Sequence, residues 1–242
     1  VRKVTELEFF IAWDQCDAST VIETLAEDLV SAPISVPVTS QPRVLADVLP
    51  VGANARVRDI VAVIGFALLT AAAAQVSIPL GFTPVPLTGQ TFAVLLAGGV
   101  LGANRGASSQ LLYVAMGAVG LPFFADGASG LRVEGAFIPT IGYLVGFIVA
   151  AYVVGLMAER RQDRNVLSSI PALFAGTFII YAIGAPVLAW RLGVPLAADL
   201  ADPSALKFGI APFIIGDFIK AIVAGGLLPA TWKLVNRGDA SE

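Results

Sequence analysis

From Ile60 to Asn104 the chain carries no charged residue, a run of 45 positions. Roughly 20 apolar residues in helical form cross the hydrocarbon of a bilayer, so the run is long enough for two crossings. The break between them falls at Pro79-Leu80-Gly81-Phe82-Thr83-Pro84-Val85-Pro86, where three prolines and a glycine cannot continue a helix. Uncharged stretches recur at 106–125, 135–158 and 165–190, and a last apolar segment, 208–232, is interrupted by Asp217 and Lys220. The pattern predicts six transmembrane helices, at 60–79, 88–104, 107–124, 136–158, 166–190 and 208–232. The segments are continuously apolar rather than alternating, which argues for helices and against a barrel. The expected fold is therefore an all-α integral membrane bundle.

The first 58 residues are different, with thirteen charges against twenty in the remaining 184. That shift predicts a cytoplasmic, poorly ordered N-terminal extension at 1–58, a membrane domain at 59–236 and a short tail at 237–242. Within the extension, Thr20 and Glu23 match a capping box ahead of Val21, Ile22, Leu25 and Leu29, which would form a short amphipathic helix. Glu6 and Glu8 interrupt the only early apolar run, so no signal peptide is expected. An even number of spans puts both termini on one side. That side carries Arg56, Arg58, Arg105, Arg160, Arg161, Arg164, Lys233 and Arg237, against Arg132, Arg191 and Lys207 on the other, which predicts cytoplasmic termini.

Composition sharpens this picture. The chain is 57% apolar and 14% charged, where soluble domains carry about 25% charge. It has no histidine, so no Ser-His-Asp triad, imidazole base or histidine-held metal can be built from it, and its one cysteine, Cys16, cannot make an internal disulfide. With 15 Lys+Arg against 18 Asp+Glu there is no basic surface for nucleic acid. There is no Gly-Lys-Ser/Thr phosphate loop, so the chain cannot drive ATP-powered transport alone. A non-enzymatic protein without cofactor or metal is expected.

Ionisable residues inside a span cost about 2.5–3.5 kcal/mol on insertion scales, so they mark function or a neutralised pair. Asp217 and Lys220 are three residues apart and share one helix face near mid-membrane. They form either an intrahelical ion pair or a polar site, in which Lys220 would attract a carboxylate and Asp217 accept a ligand N–H. In 79–90, Thr88 and Gln90 offer neutral donors and acceptors on a stiff loop that is either a lid or a tight connection. Asp126 lies in a second glycine-rich loop, followed by Arg132, and Tyr143 is flanked by Gly142 and Gly146, which open space beside it. Ala67 and Ala71, four apart, make a small-residue face for packing within the bundle or for docking a separate subunit.

The linked motifs Thr83-Pro84-Val85-Pro86-Leu87-Thr88-Gly89-Gln90-Thr91, Leu101-Gly102-Ala103-Asn104-Arg105-Gly106, Leu112-Tyr113, Gly120-Leu121-Pro122-Phe123-Phe124-Ala125 and Gly142-Tyr143-Leu144-Val145-Gly146-Phe147 resemble the BioY biotin transporters. These are substrate-binding (S) components of energy-coupling factor transporters. Where many relatives carry Pro-Thr-Gly-Gly-Tyr, this chain has Pro139-Thr140-Ile141-Gly142-Tyr143. The resemblance implies a six-helix, high-affinity biotin-binding subunit in the plasma membrane, energised by two ATP-binding subunits and a transmembrane coupling subunit. It also implies that Asp217 and Lys220 bind biotin, that Pro84–Thr91 closes as a lid, and that Ala67 and Ala71 dock the coupling subunit. The alternative is an autonomous ion-coupled secondary transporter of a small carboxylate or vitamin, with Asp217 as its ion site.

Overall fold

Each of the six apolar segments contains an α-helix. The computed structural model describes residues 44–48, 54–133, 135–197 and 203–238, all within one unit, Pro42–Glu242. The long helices are α1 (Ala55–Gln75), α2 (Gln90–Leu101), α3 (Ala103–Ala118), α4 (Ile141–Glu159), α5 (Val166–Leu192) and α7 (Ile214–Gly238), with a short α6 (Ala205–Gly209) before the last. Two small antiparallel hairpins link them: β1 (Ser77–Ile78) pairs with β2 (Leu87–Thr88), and β3 (Arg132–Val133) with β4 (Ala136–Phe137). The expected amphipathic helix at 20–29 and most of the expected extension and C-terminal tail lie outside the described residues.

Helices α1, α4, α5 and α7 are long and apolar enough to cross a membrane, which makes this a multi-pass integral membrane protein. By helix rise, the 12 residues of α2 and 16 of α3 reach only about 18 and 24 Å, short of the roughly 30 Å of hydrocarbon. Gly102 sets the boundary between them: it turns the chain at φ 84, where a side chain would be strained, so α2 stops there and α3 begins at Ala103. Helix α1 starts earlier than the charge pattern predicts. Arg58 and Asp59 are inside it, tied into a network in which Arg58 and Arg105 each meet Asp47 and Asp59 at 2.7–3.4 Å.

Helix α2 is the centre of the bundle, packed by α1, α3, α4, α5 and α7, with nine of its twelve residues buried. A helix apolar on every side is a core helix even in lipid. Lipid tails are as apolar as leucine, so close van der Waals fit has to hold such helices together. Gly155 supplies it on α4: a Cβ there would sit 2.3 Å from the backbone of Gly102 and Ala103. At the same junction Glu159 accepts a 2.8 Å hydrogen bond from the Ala103 N–H, satisfying a free donor at the start of α3.

Two sequence expectations are corrected here. Val44, Leu45 and Ala46 are buried against residues of α2, α4 and α7, including Leu101, Ala158 and Trp232, so the packed domain begins before the expected boundary at residue 58. Ala67 and Ala71 are 0% and 6% exposed and belong to the protein's own core. Their small side chains let α1 approach α3 and α2, and neither offers a surface to another subunit. The outward face of α1 carries Val57, Val61, Ile64, Leu68 and Ala72 instead.

Trp232 of α7 donates its indole N–H to Asp163, in the turn between α4 and α5, while Arg164 stacks on the indole ring. Burial pushes the Asp163 carboxyl above the usual carboxylate range, with Trp232 and Arg164 pulling it back.

Candidate functional site

At the end of the bundle that bears the hairpins, the N-terminal parts of α2, α4 and α7 converge on a cavity with about 600 Å³ of empty space, its opening included. Aligned peptide dipoles make such helix starts electropositive, favouring an anionic group nearby. The β1–β2 hairpin supplies Val85, Pro86 and Thr88; α2 supplies Gln90 and Thr91; and the turn after α3 supplies Phe124 and Ala125. Thr140, Tyr143, Leu144 and Phe147 come from the start of α4, Ile180 and Tyr181 from α5. Gly209, Phe213, Asp217 and Lys220 complete the wall. Most of this surface is apolar and aromatic, with a few polar groups that fix orientation, as small-molecule sites commonly are.

The polar groups form one connected network. Lys220 Nζ donates to Asp217 Oδ1 at 2.8 Å, to the Thr88 carbonyl at 2.6 Å and to Thr91 Oγ1 at 3.2 Å. An ammonium has three protons, and all three have acceptors. Asp217, only 3% exposed, also accepts from the Thr91 hydroxyl at 2.8 Å and, through Oδ2, from the Tyr181 hydroxyl. A carboxylate this deep is tolerated because its cation and two hydroxyl donors replace the water it lost.

A second set of bonds holds the walls. Thr88 Oγ1 donates to Gln90 Oε1 at 2.9 Å, and Gln90 Nε2 donates to the Tyr113 hydroxyl at 2.5 Å, tying the hairpin to α2 and α3. Thr83 Oγ1 donates to the Phe208 carbonyl at 2.7 Å, pinning the proline-rich loop to α6. Tyr143 donates to the Gly209 carbonyl at 2.9 Å, and only glycine fits there, since a Cβ on Gly209 would lie 2.1 Å from the Tyr143 oxygen. Gly184 makes room for the same ring, 2.4 Å from where its own Cβ would be.

Of the residues singled out from sequence, Asp217, Lys220, Tyr143, Thr88 and Gln90 line this one cavity. Asp126 and Arg132 do not: Asp126 is exposed on its turn, and Arg132 is exposed on β3, its guanidinium over the Phe137 ring. Ile141, the departure from the Gly-Gly pattern, faces away from the cavity into a groove between α4 and α5. Sequence reasoning missed Thr91 and Tyr181, which complete the shell of Asp217. Tyr181 is the one tyrosine in the apolar segment 166–190, a polar hydroxyl at membrane depth whose need for a partner was the available signal.

These features define a class: a multi-pass helical membrane protein with an internal cavity built around a charged pair. Residues 42–237 match the model of the BioY family. A probable biotin transporter BioY of Lysinibacillus sphaericus is 37% identical over 175 residues, covering 72% of this chain and 87% of that protein. The biotin transporter BioY of Rhodobacter capsulatus is 42% identical over 166 residues, covering 66% of this chain and 84% of its own. A crystal structure of the S-component for biotin from an ECF-type ABC transporter superposes with a TM-score of 0.63 at 24% identity, over 75% of this chain and 94% of the other. This chain belongs to the BioY family, a family of transporters and not of enzymes.

Proposed function

We propose that this chain binds biotin in the cavity at Lys220 and Asp217 and serves as the S component of an energy-coupling factor transporter in the plasma membrane. The observation that carries the reading is the Lys220–Asp217 pair, set with Thr91 and Tyr181 in an aromatic-walled pocket where helix N-termini meet. Biotin offers an acceptor oxygen for Lys220 and a ureido N–H donor for the Asp217 carboxylate. The apolar ring system suits Phe124, Tyr143, Phe147 and Phe213. Thr88 and Gln90 hold the hairpin that covers this ligand, and the proline-rich loop acts as its lid. The relatives named as biotin transporters support the substrate.

The same reading gives the chain six spans, with α2 and α3 as short crossings inside the bundle, and cytoplasmic termini, supported by the excess of Lys and Arg at that end. Uptake is energised by separate ATP-binding subunits and a coupling subunit. The coupling subunit docks on the outward face of α1 at Ile64, Leu68 and Ala72, which the burial of Ala67 and Ala71 leaves as the available surface of that helix. The test is equilibrium binding of biotin to the detergent-purified chain alone, with thiamine and riboflavin as controls. Saturable biotin binding at one site supports the reading. Binding of a control vitamin in its place removes the substrate, and biotin uptake into vesicles by the chain alone under a proton gradient removes the partner-driven mechanism.

A further inference from the structure

On the outside of the bundle, at the hairpin end, an apolar groove runs between α4 and α5, enclosing about 520 Å³ with its open side included. Its walls are Phe137, Ile141, Val145, Ile183, Val187 and Trp190, and no polar atom faces it. Two cations grip one end. Arg191, in the last turn of α5, donates its Nε–H to the Phe137 carbonyl, and the Arg132 guanidinium lies 4.5 Å from the centre of the Phe137 ring. Among the described residues no carboxylate forms an ion pair with either arginine. Trp190, 72% exposed, stands beside them as an amphipathic ring of the kind found at the level of lipid headgroups.

We propose that this groove is a binding site for one anionic phospholipid, with an acyl chain along the α4–α5 walls and its headgroup phosphate between Arg132 and Arg191. The occupant follows from the two halves of the site. A dry trough open to the hydrocarbon takes a hydrocarbon chain, and two guanidinium groups at its end take a phosphate, which they match with paired N–H donors. A zwitterionic lipid fills the trough equally well but offsets the phosphate with its own cation. Specificity therefore comes from net headgroup charge, at about 1 kcal/mol or roughly fivefold per arginine. The ligand cavity is on the other side of α4, so this site is separate from the one assigned to biotin.

Native mass spectrometry of the full chain, titrated with phosphatidylglycerol or phosphatidylcholine of identical acyl chains, tests the proposal. The expected result is one retained phosphatidylglycerol, preferred by about tenfold or more. The R132Q/R191Q double variant should lose that preference while keeping weak retention of both lipids. Val145→Trp, which adds bulk on an exposed wall position, should lose retention of both. Because Arg191→Gln also removes the hydrogen bond to Phe137, Arg132→Gln alone, which gives up only its packing over the Phe137 ring, serves as the milder check, with an expected loss of preference of about fivefold. Equal preference in wild type and R132Q/R191Q overturns the proposal, as does phosphatidylglycerol retention unchanged by Val145→Trp. A dimer abolished by Val145→Trp would assign the groove to a second copy of the chain and overturn it too.

Discussion

Tyr181 on α5 donates its hydroxyl to Asp217 on α7, and this leaves the other carboxylate oxygen to Lys220 and Thr91. The aspartate is thereby held in one orientation by three elements, with its face toward the cavity set before any ligand arrives. Tyr181→Phe keeps the ring and deletes the donor. A lost hydrogen bond to a buried charged group costs about 1.5–3 kcal/mol, so biotin affinity should fall by about tenfold or more, measured by titration calorimetry with the fold intact.

Lys220→Ala leaves Asp217 buried without its cation, a change that costs about 3–5 kcal/mol in buried pairs. Thermal unfolding in detergent should show a lowered midpoint together with lost biotin binding. The double variant Asp217→Asn/Lys220→Met removes both charges, and its midpoint should recover toward wild type while binding stays absent. Recovery of binding in the double variant would take the pair out of the site.

The two glycines around Tyr143 separate by what they touch. A Cβ at Gly209 meets the phenolic oxygen, whereas one at Gly184 meets the ring carbons. Gly209→Ala should destabilise by about 1–3 kcal/mol of overpacking, and adding Tyr143→Phe should restore part of it by removing the oxygen. Gly184→Ala should not be rescued by the same second change. Melting curves of the four variants decide this.

On α1 the burial of Ala67 and Ala71 agrees with packing within the bundle. Ala67→Trp places an indole in a fully buried position and should lower both stability and biotin binding, whereas Leu68→Trp lies on the outward face and should leave both unchanged. In the assembled transporter, Leu68→Trp should reduce ATP-driven uptake. Full uptake by that variant would move the coupling subunit off this face.

Much of this protein is written in where its charges stand. Asp217 and Lys220 were legible because lipid makes any charge in an apolar run conspicuous, and the prolines of 79–86 marked the loop that covers them. Tyr181 was not, because a tyrosine in an apolar helix has the same signature whether it packs or donates. Ala67 and Ala71 announced a close approach without saying of what, since four-residue spacing of small side chains fits a neighbouring helix of the same chain as well as a foreign one. The docking of Val44–Ala46 had no local signal at all: three small or apolar residues beside a proline- and serine-rich stretch become core only through the distant partners Leu101, Ala158 and Trp232. The helix ends moved for a related reason, as Arg58 and Asp59 are accommodated inside α1 by partners 11 and 46 residues away.

The shortest bond Lys220 makes is to the carbonyl oxygen of Thr88, an atom every amino acid carries. Replacing the Thr88 side chain removes its hydroxyl bond to Gln90 but not this backbone acceptor, so a scan of side chains across the loop does not report the grip between the hairpin and α7. A ligand acceptor entering the site has to take a proton donor away from this backbone oxygen, from Thr91 or from Asp217. Occupancy is then a trade of partners and not an addition of one, and where the donor given up is the one on Thr88, the loop loses its hold on α7 as the site fills.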